Sequence, residues 1–159
     1  NYFFGSGVIV PGTGILMNNH MDDFVPKPGS ANSIEPGKRP LSSMSPTLVF
    51  DKTSGQLALS GGSPGGAVII HYTGKMLYGT LNWGLNAQKA IDLPNFASLN
   101  GPTLLEEKRF PASTVEALRA RGHEVREQEL TSGLQAIQRT PTGFFGGAGP
   151  RREGVVLGD

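Results

Sequence analysis

Short apolar runs alternate with small polar and glycine-rich segments along the chain. Near its centre, the runs 47–50 and 57–59 are separated by the polar segment 51–55, which ends in glycine. Apolar runs of this length on either side of a turn-forming segment are typical of two paired β-strands. The pattern therefore predicts a β-hairpin at the centre of the chain.

The segment that follows, Gly61–Gly66, is predicted to lead into a helix. Ser63 suits the capping position of that helix and Pro64 its first residue. Gly65 and Gly66 would then lie in the first turn, where backbone N–H groups have no partner within the helix. Since glycine has no Cβ, a ligand oxygen could approach these amides closely. We interpret them as a candidate anion or oxyanion site, with an ordinary turn before a helix as the alternative. The segment lacks the Gly-Lys-Ser/Thr of a phosphate-binding loop.

Other elements follow from the same periodicities. Apolar residues at helical spacing predict a helix from Ala67 to about Leu81, and Asn86 is expected to cap a short helix that ends at Ile91. The remaining predictions are a strand at 103–106, a helix from Pro111 to Arg121, an edge strand within 124–130, and two or three short strands within 134–157. Strands, then helices, then strands again indicate an α+β protein with helices layered on antiparallel sheets.

The first forty residues are less regular. Two apolar runs, 8–10 and 15–17, are bracketed by glycines and predict a strand end, a tight turn and a second, buried strand. A dense polar segment, 18–23, comes directly after them and is expected to project side chains into a pocket. The segment 24–40 contains four prolines and two glycines, so we expect an irregular loop that packs through Phe24 and other apolar residues.

Length and composition narrow the possible functions. A chain of 159 residues is long enough for one domain, here residues 1–159, with a real core. Its net charge is +1 and its charges are scattered, which argues against a nucleic-acid surface or a polybasic membrane segment. No apolar run approaches the ~20 residues that span a bilayer. With no cysteine, a disulfide framework and a cysteine nucleophile are excluded.

Three motifs occur in one order and spacing: Asn18–Phe24 (NNHMDDF), Lys38–Thr47 (KRPLSSMSPT) and Gly62–Gly66 (GSPGG). Together they resemble the small subunit of a γ-glutamyltransferase (γ-glutamyltranspeptidase), which is an N-terminal nucleophile hydrolase. The segment Gly149–Gly154 resembles the closing motif of that subunit. The similarity extends from Asn1 to the end of the chain.

This resemblance implies a four-layer αββα enzyme that is made as one precursor and cleaves itself into a large and a small subunit. The N-terminal Thr of the small subunit would attack a γ-glutamyl amide such as glutathione and pass the acyl group to water or to an amine. That Thr is expected a strand upstream of Asn1, so the chain would supply the rest of the site and need the large subunit as partner. No cofactor and no metal are implied, and a periplasmic or secreted location is favoured.

The resemblance also implies roles for individual residues. The paired serines would hold the substrate's α-carboxylate, an acidic residue and two other polar residues would surround its α-ammonium, and two glycines would form the oxyanion hole. In that order these residues are Ser42 and Ser43, then Asp23 with Asn1 and His20, then Gly65 and Gly66. His20 stands where the family more often has Gln or Glu.

Two other functions remain open. One is a related acylase of the same fold, of the cephalosporin type, although a donor without an α-ammonium would leave the carboxylate of Asp23 unpaired. The other is a catalytically inactive, truncated subunit.

Overall fold

The computed structural model describes residues 4–158, which form two compact units, one ending at Ser42 and the other beginning at Ser43. Each unit is described by itself. Asn1, which the sequence suggested as a substrate-binding residue, lies outside the described residues.

The first unit begins with two short segments that pair with each other. The N–H of Met17 donates to the carbonyl of Val8 at 2.8 Å, and the N–H of Val10 donates to that of Ile15 at 2.9 Å. The predicted tight turn is therefore confirmed, but the second segment forms only an isolated bridge, between Ile9 and Leu16, instead of a strand. The predicted burial is wrong, because the side chains of Ile15 and Met17 are 62% and 46% exposed.

One 3₁₀ turn, His20–Asp23, follows the paired segments. Beyond it the chain up to residue 40 has only an isolated bridge between Val25 and Ser33, which confirms the predicted irregular loop. Phe24 is buried as expected, whereas Val25 and Ile34 remain exposed. The loop is thus anchored at its start.

The second unit contains two sheets and three α-helices among its described residues. Its elements are β1 (Thr47–Phe50), β2 (Leu57–Gly62), α1 (Ile69–Leu81), α2 (Ala87–Asp92), β3 (Phe96–Ser98), β4 (Thr103–Glu106), α3 (Ala112–Ala120), β5 (Val125–Gln128), β6 (Gln135–Thr140) and β7 (Gly143–Ala148). One sheet has the order β1-β2-β6-β7 and is antiparallel throughout. The other has the order β3-β4-β5, in which β4 and β5 are parallel.

Most of the predicted elements are confirmed in this unit. The central hairpin forms as β1 and β2, and Asp51 stabilises its turn by accepting the N–H of Ser54 at 2.7 Å. Asn86 caps α2 through a 2.9 Å hydrogen bond from the N–H of Lys89. Pro111 directly precedes α3.

Strand β3 was not anticipated, because only three residues form it. The two or three strands expected within 134–157 are two, β6 and β7, and residues 153–157 form none. One expectation for the sheets of this unit is wrong. The pair β4–β5 is parallel rather than antiparallel, because α3 carries the chain back across the sheet between the two strands.

Helices α1 and α2 pack against one face of the four-stranded sheet. The buried residues of this core are Leu59, Tyr72, Met76, Ala87, Ile91, Leu130, Leu134 and Ala136. Two glycines of the sheet allow the close approach of the helices. A Cβ on Gly61 would lie 2.6 Å from Cε of Met76, and one on Gly147 would lie 2.8 Å from the backbone nitrogen of Gln88. Gly147 therefore requires glycine because it faces backbone atoms, whereas a side chain at Gly61 would displace the end of Met76.

A buried cluster of charged and polar side chains lies beside this core. The ammonium of Lys75, on α1, donates to the carbonyls of Ile91 and Leu93 at the end of α2 and to Oδ1 of Asn95. An ammonium has three donors and no acceptor, so these three oxygens match it completely. Asn95 in turn donates to the carbonyl of Leu130 at 2.7 Å.

Arg151 completes the cluster from the C-terminal segment. Its guanidinium pairs with both carboxylate oxygens of Glu106 on β4, at 2.5 and 2.7 Å, and donates to the same carbonyls of Ile91 and Leu93 as Lys75 does. Cations are favoured at the C-terminal end of a helix dipole. The cluster therefore joins α1, the end of α2, β4 and the C-terminal segment.

The cluster shifts the titration of two of its members. Burial, together with the positive charge of Arg151, lowers the pKa of Lys75 to about 7. Burial alone would raise the pKa of Glu106. The hydrogen bonds from Arg151 and from the N–H of Asn95, with the charge of Arg151, outweigh that effect and hold this pKa below its usual value.

Within residues 4–158, no helix is both long and apolar enough to cross a membrane. Across the same residues, no three or more His, Cys, Asp or Glu side chains are grouped so that they could hold a metal ion.

Replacement of Glu106 by Gln tests the cluster. It removes the carboxylate that balances Arg151, so we expect the free energy of unfolding of the complete protein to fall by about 3 kcal/mol at neutral pH. The folded-state pKa of Glu106 is below its ordinary value of 4.5, so its contribution is complete above pH 4.5 and is lost as the pH falls through the folded-state pKa.

The measurement is denaturant unfolding of the parent and the variant at several pH values. The difference in stability should therefore shrink below about pH 4.5. A difference that stays constant down to strongly acidic pH would contradict the role given to this carboxylate.

Candidate functional site

His20 and Asp23 pair with each other in the first unit. They are three residues apart on a 3₁₀ turn, which has three residues per turn, so their side chains lie on the same face. Nδ1 of His20 is 3.0 Å from Oδ2 of Asp23, and the two side chains are 35% and 33% exposed. When the imidazole is neutral and donates through Nδ1, its Nε2 is an acceptor. The pair then has two acceptors on opposite sides of the ring, the carboxylate of Asp23 and Nε2 of His20.

The backbone around this pair is held by Asn32, a residue that the sequence did not single out. Its Nδ2 donates to the carbonyl of Asp23 at 2.7 Å, and its Oδ1 accepts the N–H of Leu41 at 2.9 Å. Its own carbonyl accepts the N–H of Val25 at 2.9 Å. An Asn among prolines and glycines indicates only a turn, and nothing in the pattern pointed to partners nine residues away on both sides.

Ser42 and Ser43 are the last residue of the first unit and the first of the second. Ser42 is exposed and Ser43 is partly buried. The carbonyl of Ser43 accepts the hydroxyl of Ser45 at 3.0 Å, and the chain then enters β1. The two serines lie in a segment without regular secondary structure, and side-chain hydrogen bonds are made at Leu41 before them and at Ser45 after them.

Gly65 and Gly66 lie between β2 and α1, as expected, but the helix begins differently. A 3₁₀ turn starts at Gly66 and runs into α1, and Gly65 is its capping residue without a side-chain hydrogen bond. The predicted cap by Ser63, with Pro64 at the first helical position, is therefore wrong. The hydroxyl of Ser63 instead accepts the N–H of Gly133 at 3.1 Å and donates to the carbonyl of Pro64.

Both glycines have a positive φ, 147° at Gly65 and 62° at Gly66. A Cβ on Gly65 would lie 2.6 Å from Cε2 of Tyr72, whereas one on Gly66 would meet nothing within 4 Å. Among residues 4–158, neither backbone N–H finds an acceptor. The structure thus has two adjacent amides without an acceptor at a helix start; a side chain at Gly65 would collide with the buried ring of Tyr72, whereas one at Gly66 would meet no other atom.

An open cavity of about 810 Å³ adjoins the beginning of this loop. It is lined by the end of β2 with Ser63 and Pro64, by β6 and β7, and by the C-terminal residues 155–157. Val156 covers Gly146, where a Cβ would lie within 2.4 Å of it. The cavity leaves room for a ligand beside the loop.

In the first unit, the structure therefore brings two of the predicted residues, His20 and Asp23, into contact. In the second unit, the predicted residues Gly65 and Gly66 are consecutive and lie at the start of one helix. Two further residues that support them, Asn32 and Tyr72, were not part of the sequence-based site.

Comparisons with known proteins identify the family. A family model described as gamma-glutamyltranspeptidase matches residues 1–159. The chain belongs to the γ-glutamyltranspeptidase family. The members of this family are enzymes. The chain has the α+β fold of N-terminal nucleophile hydrolases, which its structural relatives share.

Individual relatives agree with this result. The glutathione hydrolase proenzyme of Escherichia coli (strain K12) is 39% identical over 163 residues, which cover 95% of this chain and 28% of that protein. An acylase proenzyme of a Pseudomonas species is 38% identical over 149 residues, which cover 93% of this chain and 26% of that protein. The solved structure of γ-glutamyltranspeptidase from Pseudomonas nitroreducens complexed with L-DON is 32% identical, covers 100% of this chain and 89% of its own chain, and has a TM-score of 0.83.

The chain thus spans about 28% of the length of the curated relatives that it matches first. The names of these relatives describe proenzymes.

The two glycines offer a matched test of the geometry. An Ala at Gly65 meets both a strained φ and the ring of Tyr72, whereas an Ala at Gly66 meets only a left-handed φ. We expect Gly65→Ala to lower the free energy of unfolding by about 2–4 kcal/mol and Gly66→Ala by about 1 kcal/mol. Denaturant unfolding of the complete protein measures both. Equal losses would show that Tyr72 does not restrict Gly65.

Proposed function

We propose that this chain belongs to an enzyme that hydrolyses or transfers γ-glutamyl groups, with glutathione and related amides as substrates. It would supply the oxyanion hole and the substrate clamp, by which we mean the residues that bind the ammonium and the carboxylate of the donor. Family membership supports the reaction class. The observation that carries the proposal is the pair of adjacent amides at Gly65 and Gly66, which have no acceptor among the described residues and lie at a helix start.

The reaction would proceed in two steps. The hydroxyl of an N-terminal Thr, which the resemblance places upstream of Asn1, attacks the γ-carbonyl of the donor and expels the amine. The resulting acyl-enzyme is then attacked by water or by the amine of an acceptor. In each step the carbonyl oxygen gains negative charge, and donors aimed at that oxygen stabilise the transition state more than the ground state.

Gly65 and Gly66 suit the role of these donors. Because these two N–H groups donate to no described residue, they can donate to a ligand oxygen without first breaking a hydrogen bond. The helix start adds a favourable dipole for negative charge. Removal of one such donor in other acyl-transfer enzymes costs roughly 3–4 kcal/mol of transition-state stabilisation.

His20 and Asp23 suit recognition of the donor's α-ammonium. The carboxylate of Asp23 would accept a charge-assisted hydrogen bond from it, and the hydrogen bond from Nδ1 of a neutral His20 would orient that carboxylate. A protonated His20 would instead repel the ammonium. Asn1 is proposed as a third polar neighbour of the ammonium, and Ser42 and Ser43 as donors to the α-carboxylate. The remaining partner would be the large subunit of the same precursor.

Replacement of Asp23 by Ala tests the ammonium role. The donor would lose its charged partner, so we expect KM for γ-glutamyl-p-nitroanilide to rise about tenfold or more in the complete enzyme. The control is Asp22→Ala, which removes an exposed carboxylate from the same 3₁₀ turn and should leave KM near the parent value. If Asp23→Ala and the parent have the same KM, Asp23 does not bind the ammonium.

A second candidate function is that of an acylase, which the 38% identical acylase proenzyme favours. The two functions differ in the donor. A glutaryl group is a γ-glutamyl group without its α-ammonium, so it would leave Asp23 without a cationic partner in the occupied site. A buried or half-buried carboxylate that loses its partner weakens binding.

The choice between them is made by comparing kcat/KM for γ-glutamyl-p-nitroanilide and glutaryl-p-nitroanilide. We expect the γ-glutamyl donor to be preferred by about tenfold or more, because a hydrogen bond to a charged group contributes 1.5–3 kcal/mol. Equal values, or faster turnover of the glutaryl donor, would favour the acylase.

A further inference from the structure

Asn32 connects the two parts of the first unit to which the proposed function assigns substrate recognition. Its side chain joins the carbonyl of Asp23, the proposed ammonium partner, to the N–H of Leu41, which directly precedes Ser42. We propose that Asn32 is a positioning residue that sets the distance between the ammonium-binding carboxylate of Asp23 and Ser42, the carboxylate-binding serine of the same unit. This inference rests on the proposed function.

The chemistry of the two contacts explains why an asparagine is needed. One partner is a carbonyl, which requires a donor, and the other is an N–H, which requires an acceptor. A side-chain amide carries both in one rigid plane, and the two partners also determine which end is nitrogen. Asp has the same shape but no donor. It would place a carboxylate oxygen against the carbonyl of Asp23.

The backbone of Asn32 strengthens the connection. Its carbonyl accepts the N–H of Val25, two residues after Asp23, at 2.9 Å. Asn32 therefore holds the end of the 3₁₀ turn from both sides, while Oδ1 holds the approach to the serines. The two side-chain partners are each nine residues away, in a loop where the structure has only one isolated bridge between 24 and 40. The loop provides no other regular structure to set this distance.

The consequence is specific to donors that use both parts of the clamp. The γ-glutamyl group carries an ammonium and a carboxylate on one carbon, so the two sets of partners must be correctly spaced. The glutaryl group keeps the carboxylate and lacks the ammonium. Loss of Asn32 should therefore weaken binding of the γ-glutamyl donor more than binding of the glutaryl donor.

The test measures kcat and KM for γ-glutamyl-p-nitroanilide and glutaryl-p-nitroanilide with the complete, processed enzyme. The variants are Asn32→Ala and Asn32→Asp, and Ser30→Ala is the control from the same loop. In both Asn32 variants, we expect KM for the γ-glutamyl donor to rise about tenfold, with kcat changed less than about twofold. The preference for the γ-glutamyl over the glutaryl donor should fall by a similar factor, whereas Ser30→Ala should retain it.

An equal loss for both donors would show a merely structural role and would overturn the inference, as would no loss at all. If Asn32→Ala is not processed into subunits, Asn32→Asp decides, because it keeps the shape of the side chain and the acceptor for Leu41. If the parent enzyme itself shows no preference for the γ-glutamyl donor, the proposed function fails. A parent preference that survives in both Asn32 variants refutes the inference about Asn32 alone.

Discussion

The second unit depends on how the carbonyls at the end of α2 are satisfied. Two basic side chains, Lys75 and Arg151, donate to the same two carbonyls, and the carboxylate of Glu106 pairs with Arg151. Burying charges is unfavourable unless each finds partners, and every donor of the Lys75 ammonium does. Because the partners come from α1, α2, β4 and the C-terminal segment, this arrangement determines how those elements pack together.

The placement of α1 has a direct effect on the candidate oxyanion site. Tyr72 and Lys75 lie one turn apart on this helix, and the ring of Tyr72 packs where Gly65 would carry a Cβ. Met76, on the next turn, packs against Gly61 in the same way. The two glycines thus allow α1 to approach the loop and the sheet closely. The geometry of the Gly65 and Gly66 amides is therefore a property of the core rather than of the loop alone.

Local signals in the sequence were sufficient for much of the fold. The hairpin of β1 and β2, the cap by Asn86 and the helix after Pro111 each depend on residues within a few positions of one another. Ser63 shows where such reasoning fails, since its hydroxyl pairs with Gly133 instead of capping the helix. Asn32 and the buried cluster could not be predicted because their partners are distant in sequence, and a pattern of apolar positions carries no information about such pairs. Gly65 and Gly66 were singled out as a candidate site because the order of their motif with two others is distinctive.

The topology of the two sheets has a consequence for folding kinetics. In the smaller sheet, Leu104 of β4 pairs with Arg126 of β5, and only α3 and its connections lie between the two strands. This pair of strands can therefore form from a short stretch of chain. In the larger sheet, Leu59 pairs with Gln138, and the whole segment that contains α1, α2 and the smaller sheet lies between them. Closing a long loop is entropically unfavourable, and folding slows as contacts become less local. The pairing of β2 with β6 is therefore expected to form late. Strand β2, which leads into the Gly65–Gly66 loop, would acquire its second neighbouring strand only when the rest of the second unit has folded.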